Sequence, residues 1–296
     1  MIFVNSEGFY FLATDIFTAF AHSFAKGKTM HLCIILLFQK VINHSIIIPM
    51  NENIKKLQAI IDESDNIVFF GGAGVSTESG IPDFRSVDGL YNKEWDYPPE
   101  EILSRDFFFR DTAEFYRFYR AKLLPTGIKP NKAHLKLAEL EAAGKLKAVV
   151  TQNIDNLHQE AGSKVVYQLH GTTSRNYCLQ CHEFYDDKFI VETGEKGEKI
   201  PHCKKCGGIV KPDVVLYQEG LDDKTVEGAI NAIANADTLI IGGTSLNVYP
   251  AASFIRYFQG KHLVMINKSV TPQDAYCELV IHEPIGEVLG QITVSA

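Results

Sequence analysis

Asn66-Ile-Val-Phe-Phe-Gly-Gly-Ala-Gly74 decides the fold. Residues 66–70 form a short run that is apolar after Asn66, the pattern of a strand, and the glycines follow at once. A strand running into a glycine-rich loop is the transition found at the head of a nucleotide-binding unit, where backbone N–H groups must approach phosphate closely. Working outward, apolar runs recur at 148–151, 165–169, 214–217, 238–241 and 263–266, so six strands are expected. Helical stretches at 132–143, 224–235 and 250–258 lie between several of them. Strands alternating with helices imply right-handed crossovers and a parallel sheet. The expected class is therefore a doubly wound α/β fold whose ligand sits beyond the carboxyl ends of the strands.

Two segments break the alternation: 84–124, aromatic-rich and helical around 113–123, and 172–213, which carries paired cysteines. Both read as insertions that build a smaller module. At roughly 150 residues per domain, 296 residues suit about two units or one large domain with an insertion. With 46% hydrophobic and 22% charged residues, disordered and collagen-like classes fall away. A net charge of −7 provides no basic field for DNA, RNA or an anionic membrane, so no nucleic-acid partner is expected. The window 30–49 approaches membrane-spanning length, but Gln39, Lys40, Asn43 and His44 interrupt it, so no span is expected. At Met50 the text changes: Asn51, Glu52 and Asn53 lead into Ile54, Leu57, Ile60 and Ile61, an amphipathic helix with a polar start. Residues 1–49 offer no sustained period and no element. They are expected to be an upstream extension or a weakly ordered appendage to a functional domain at 50–296.

Cys178-Leu-Gln-Cys181 and Cys203-Lys-Lys-Cys206 are two knuckles with residues 182–202 between them, just past the about 15 to 20 usual in a four-cysteine zinc ribbon. Four thiolates converging on one tetrahedral ion leave no position open for water or substrate, so the expected zinc is structural. His182 and His202 adjoin a complete ligand set and are expected to face solvent, while Cys33 and Cys277 have no partner pattern. Paired knuckles in a chain with only six cysteines indicate metal binding in a reducing compartment, which makes the cytoplasm the expected location. The glycine loop 71–80 precedes a helix start at Ser76 or Thr77, so it can cradle a pyrophosphate. It is not the dehydrogenase fingerprint, because Thr77 replaces the third glycine of G-x-G-x-x-G, and it lacks the Gly-Lys-Ser/Thr ending of a nucleotide triphosphatase. Residue chemistry alone thus stops at a dinucleotide-like ligand without hydride transfer.

Gly72-Ala-Gly-Val-Ser-Thr-Glu-Ser-Gly-Ile-Pro-Asp-Phe-Arg85, Thr151-Gln-Asn-Ile-Asp155, His170-Gly171, the two cysteine pairs, Gly243-Thr-Ser-Leu-Asn-Val-Tyr-Pro250 and Ile266-Asn267 together closely resemble the sirtuin family of NAD-dependent protein deacylases. The resemblance covers about 50–292 and implies a large Rossmann-like domain and a small module of zinc ribbon plus helical segment, with NAD and the acyl-lysine meeting between them. It implies that Gly72, Ala73, Gly74 and Thr77 line the pyrophosphate, and that Asp83, Phe84 and Arg85 belong to a loop closing over NAD. It further implies that Gln152, Asn153, Ile154 and Asp155 hold the ribose and form the nicotinamide pocket. Gly243, Thr244 and Ser245 match ribose or phosphate contacts, and Asn267 and Ile285 match contacts on the adenosine side.

By the same resemblance, Asn153, Asp155 and His170 are the catalytic set, with His170 the general base. An imidazole of ordinary pKa near 6.5 can accept a proton at neutral pH; His134 and His158 read as structural. The implied reaction has no redox step: the acyl oxygen attacks the ribose carbon, nicotinamide leaves, His170 deprotonates a ribose hydroxyl, and that oxygen attacks the acyl carbon. The products are lysine, nicotinamide and an O-acyl-ADP-ribose. An acetylated protein substrate is implied to pair as a strand between 215–219 and 246–249, touching Val215, Tyr217 and Val248, with Gln218 standing where many relatives carry glycine. Relatives that remove succinyl groups carry Tyr-x-x-Arg, whereas Tyr116 is followed by Tyr119 and Arg120, so an uncharged acyl group is expected. Two other readings stay open on the sequence: a protein ADP-ribosyltransferase and a non-catalytic NAD-sensing module.

Overall fold

The computed structural model describes residues 2–4, 10–12, 51–83, 95, 97–124 and 127–294. The chain divides into two units, Met1–Asn51 and Glu52–Ala296. In the first, β1 (Ile2–Val4) pairs antiparallel with β2 (Tyr10–Leu12), an element pair that the sequence pattern does not announce.

The second unit opens with α1 (Glu52–Glu63), whose Ile54, Leu57, Ile60 and Ile61 fall on one face and are buried. β3 (Ile67–Gly71) follows and is buried along its whole length. The helical insertion is α2 (Pro99–Ile102), α3 (Arg105–Arg110) and α4 (Thr112–Lys122); the N-terminal caps are Ser104 for α3 and Asp111 for α4. Next come α5 (Lys132–Ala142), β4 (Leu146–Thr151), α6 (Leu157–Ala161) and β5 (Val166–Gln168). The cysteine insertion contains β6 (Gly171–Cys178), β7 (Phe184–Tyr185), α7 (Asp187–Glu195) and β8 (Val210–Val214). The chain finishes with α8 (Asp223–Asn235), β9 (Thr238–Gly242), β10 (His262–Ile266), β11 (Leu279–Ile281) and α9 (Ile285–Leu289). No helix among the described residues is long and apolar enough to cross a membrane.

Six parallel strands form the main sheet in the order β11-β10-β9-β3-β4-β5. Alternate side chains of each central strand go to opposite faces, so Ile67 and Phe69 join the core under α1, α5 and α9 while Val68 and Phe70 join the core under α8. Both faces are covered, which is why these strands read as unbroken apolar runs. The small module has its own antiparallel sheet, β7-β6-β8, and a core in which Phe107, Phe108, Phe115, Tyr116, Phe118 and Tyr119 pack on Ile190, Val210 and the cysteine ribbon.

Four expectations need correction. The sixth strand of the sheet is β11, and 214–217 is not in it: Val214 ends β8, and the residues after it turn away with Val215 N donating to His170 O at 3.0 Å and Tyr217 N to Leu103 O at 3.0 Å. No helix grows from Ser76 or Thr77; two 3₁₀ turns, Ala73–Val75 and Thr77–Ser79, end at Gly80 in a left-handed conformation. The stretch 250–258 is a 3₁₀ segment, Ala251–Tyr257, after a Pro250 that has no N–H to give. The fourth is the β1–β2 pair, whose three-residue strands are too short for a period to register.

Candidate active site

Successive strands run outward from β3 through β4 to β5 on one side and from β9 through β10 to β11 on the other. The order therefore reverses between β3 and β9, and a crevice opens there at their carboxyl ends. The two loops leaving these strands are pressed together: Gly72 N donates to Gly242 O at 3.3 Å and Gly74 N to Gly243 O at 2.8 Å. A Cβ on Gly74 would lie 2.8 Å from the Gly243 backbone, and Gly243 itself has φ +58, so side chains are barred from this contact. The glycine loop thus presents bare backbone to the crevice.

Beyond it lies a cleft of about 740 Å³. Ala73, Gly74, Thr77 and Asp83 line it from the glycine loop, Gln152, Asn153, Ile154 and Asp155 from the end of β4, and His170 from the turn into β6. Gly243, Thr244, Ser245 and Val248 follow β9, Asn267 follows β10, and Ile285 opens α9. Val215 and Tyr217 form the opposite wall with Leu103, Lys122 and Leu123 of the helical insertion. Gly72 sits just behind this lining, where a Cβ would strike Thr244 and the Gln152 carboxamide. Phe84 and Arg85 lie outside the described residues.

At the end of β4 the side chains are held by one another. Ser76 Oγ donates to Asp155 Oδ2 at 2.6 Å, Asn153 Nδ2 donates to Ser76 Oγ at 3.0 Å, and Leu157 N donates to Asp155 Oδ1 at 3.0 Å. Burial pushes the Asp155 carboxyl above its ordinary range, opposed by the hydrogen bond from Ser76. Thr244 Oγ1 donates to Gln152 Oε1 at 3.0 Å and leaves the buried Gln152 Nε2 with no acceptor among the described residues, a donor available to a ligand. His170 is half-buried, and its Nδ1 lies 2.9 Å from the Gln152 carbonyl. A carbonyl only accepts, so Nδ1 carries the proton and Nε2 keeps a lone pair. Burial draws the His170 pKa below its ordinary value, with the Gln152 carbonyl pulling the other way. The next residue, Gly171, has φ +73, and a Cβ there would lie 2.0 Å from Asp213 O, so the turn that aims His170 requires glycine.

Sequence patterning missed Ser76, which it reads only as a helix start, and Glu78, whose Oε1 accepts from Gly286 N at 2.8 Å and ties the glycine loop to α9. Both lie inside the glycine motif, so position was the available signal. His134 and His158 are fully buried away from the cleft lining.

In the small module, the sulfurs of Cys178, Cys181, Cys203 and Cys206 all lie within 4.8 Å of one another. Gln180 N and Lys205 N each donate to a cysteine sulfur at 3.4 Å, and Tyr185 Oη donates to Cys203 Sγ at 3.3 Å. Four thiolates so oriented, with no open position, fit a structural tetrahedral zinc. His182 and His202 are exposed and outside this set, and Cys277 Sγ donates to Gln273 O at 3.4 Å.

Fold and site together define a dinucleotide-binding α/β protein with a zinc-ribbon module across its cleft. The Sir2 family model matches residues 72–250, and the chain belongs to that family. It is 61% identical over 246 residues, covering 82% of this chain and 99% of the relative, to an NAD-dependent protein deacetylase of Clostridium perfringens. Among solved structures, one described as a structural basis for the mechanism and regulation of Sir2 enzymes superposes with a TM-score of 0.74 at 42% identity, covering 82% of this chain and 96% of that one. A Sir2 complex with a p53 peptide and NAD+ gives 0.71 at 37% identity, covering 80% and 95%.

Proposed function

We propose that this protein uses NAD to remove acetyl groups from lysine side chains of proteins, yielding nicotinamide, O-acetyl-ADP-ribose and the free lysine. One observation carries the reading: His170, its Nδ1 committed to Gln152 O, stands in one cleft with the Ser76–Asn153–Asp155 network, between the strand-order reversal and the wall of Val215 and Tyr217. The names of the relatives agree with it.

NAD enters as a substrate and supplies the ribose carbon that accepts the acyl oxygen. Ala73, Gly74 and Thr77 of the glycine loop line the pyrophosphate, the Gly74 N–H itself being spent on Gly243 O; Gly243, Thr244 and Ser245 meet ribose or phosphate, and Asn267 and Ile285 the adenosine side. Gln152, Asn153, Ile154 and Asp155 hold the nicotinamide ribose, while Asp83, Phe84 and Arg85 belong to the loop that excludes water over it. His170 Nε2 takes the proton of a ribose hydroxyl, freeing that oxygen to bond to the acyl carbon. Enclosing both substrates orients the hydroxyl toward the acyl carbon.

The protein substrate lies as an extended strand between 215–219 and 246–249, touching Val215, Tyr217 and Val248. An uncharged acyl group is favoured, because the Arg120 guanidinium is spent on Ile190 O at 3.1 Å, Lys199 O at 3.0 Å and Thr193 Oγ1 at 3.1 Å, and Tyr116 Oη donates to Val210 O. Neither lines the cleft. The net charge of −7 supports a protein that does not bind nucleic acid directly, and two cysteine knuckles in a chain of only six cysteines support a reducing compartment, the cytoplasm. We assign the activity to the unit that follows residue 49, and treat 1–49 as an appendage.

The test is mass spectrometry of an acetyl-lysine peptide incubated with NAD and either wild type or His170→Ala. Wild type should release acetyl only with NAD and form O-acetyl-ADP-ribose, and the variant should lose about 10²–10⁴-fold in kcat/KM. Acetyl loss without NAD, label from NAD ending on protein, or a variant as active as wild type would each sink the reading.

A further inference from the structure

The wall of the cleft formed by 215–219 is tied to the helical insertion through the first turn of α3. A helix start leaves backbone N–H groups without intrahelical partners. Here Arg105 N donates to Tyr217 O at 2.9 Å, Asp106 N to the Gln218 side-chain Oε1 at 3.0 Å, and Phe107 N to Ser104 Oγ at 3.2 Å. Two of these three donors are satisfied from the wall. The Gln218 carboxamide also donates in return, Nε2 to Asp106 Oδ2 at 3.2 Å, so two hydrogen bonds join the two residues.

Gln218 has φ +75, a left-handed conformation that favours glycine and that an L side chain takes at a cost. The paired hydrogen bonds hold it there. Its own backbone N–H and C=O have no hydrogen-bond partner among the described residues, although its neighbours Tyr217 and Glu219 both donate their N–H groups within the fold. The far end of the same wall is pinned separately, with Lys211 Nζ donating to Val214 O at 3.1 Å and Glu219 Oε2 at 3.1 Å. A rigid wall thus leaves one backbone amide open at the cleft, at a residue oriented by its own side chain.

We propose that the Gln218–Asp106 pair is a clamp that presents the Gln218 backbone to the acylated peptide, making both of them positioning residues that set peptide affinity; this rests on the deacetylase reading above. The helical insertion then takes part in substrate recognition through α3. The clamp fixes the edge before peptide arrives and so lowers the ordering cost of β-pairing.

The test measures binding of a fluorescently labelled acetyl-lysine peptide, and separately of NAD, to wild type, Gln218→Glu, Asp106→Asn and the double variant. Gln218→Glu sets two carboxylates against each other and should weaken peptide binding about five-fold, while NAD binding stays within about two-fold. In the double variant the carboxamide at 106 donates to the carboxylate at 218, the pair is restored with donor and acceptor exchanged, and peptide affinity should return to the wild-type value. Gln218→Gly accepts the left-handed backbone without strain but lacks the clamp, and should weaken peptide binding about two- to five-fold even if the charged variant folds poorly. Equal peptide affinity in wild type, Gln218→Glu and Gln218→Gly, or a double variant no better than Gln218→Glu, overturns the clamp. A wild type that binds no acetylated peptide overturns the deacetylase reading itself.

Discussion

Ser76 is where one hydroxyl decides the state of two other side chains. It is 1% exposed, donates to Asp155 Oδ2 at 2.6 Å and accepts from Asn153 Nδ2 at 3.0 Å, so neither of those groups can turn toward the cleft in another way without breaking a buried bond. Ser76→Ala removes both bonds and leaves Asp155 with the Leu157 N–H. A hydrogen bond to a charged group is worth about 2 kcal/mol, so kcat/KM for deacetylation should fall roughly thirty-fold while the protein still folds. The variant also removes the largest of the hydrogen bonds that oppose burial at Asp155, so its carboxyl pKa should rise further and the acid-side loss of activity should begin at higher pH. A pH profile of kcat/KM for both proteins checks this; coincident profiles would refute the linkage between Ser76 and Asp155. Ser76 was invisible as a function because a serine after a glycine loop looks like any helix start.

At the scale of elements, α5 and α6 meet through two imidazoles. His134 is fully buried, and its Nδ1 lies 3.3 Å from Asn131 N as part of the cap of α5, while the His158 ring, 4.7 Å away between centroids, has no hydrogen-bond partner at either nitrogen among the described residues. Burial pushes their pKa values down to about 4 and about 3. In the unfolded chain both take up protons near pH 6.5, whereas the folded protein keeps them neutral down to those lower values. Stability is therefore full above about pH 6.5 and falls as pH drops below it, by about 1.4 kcal/mol per pH unit for each histidine. Urea unfolding at pH 7.5, 6 and 5 should show His158→Phe gaining on wild type as pH falls; parallel slopes would remove His158 from the account. Other elements divide by how local their cause is. β3 and β9 were legible because both faces are buried and the apolar run is unbroken, and α1 because its face repeats at helical spacing. β11 has three residues, too few for a period, and 215–217, as apolar as any strand, is drawn out of the sheet by hydrogen bonds to His170, Glu219 and Leu103 that no local pattern encodes. The cleft residues were legible as motifs; Ser76, Glu78 and the Gln218–Asp106 clamp, which act through distant partners, were not.

Across the whole domain, the two ligand walls depend on different forces. The dinucleotide crevice belongs to the parallel sheet, where Gly74 and Gly243 are locked by backbone contacts and two apolar cores. The wall at 215–219, where the peptide is proposed to lie, is the direct continuation of β8, and β8 is held by pairing with β6, whose last residue is Cys178. Cys178 and Cys203 are themselves members of the core that contains Val210, Val214 and Leu216, so the cysteine cluster is a structural member of that wall. Without its ion, four sulfurs within 4.8 Å would repel as thiolates or need protons, and the ribbon would loosen first. Chelation that strips one zinc per chain should therefore weaken acetyl-lysine peptide binding by ~10-fold or more while NAD binding changes by less than ~3-fold, because the coordination energy is folding energy of the small module alone. Zinc release followed with a chromogenic chelator, alongside separate titrations of peptide and NAD, measures this. Simultaneous loss of both ligands would mean that the modules fold as one cooperative unit and that the ion supports the dinucleotide crevice as well.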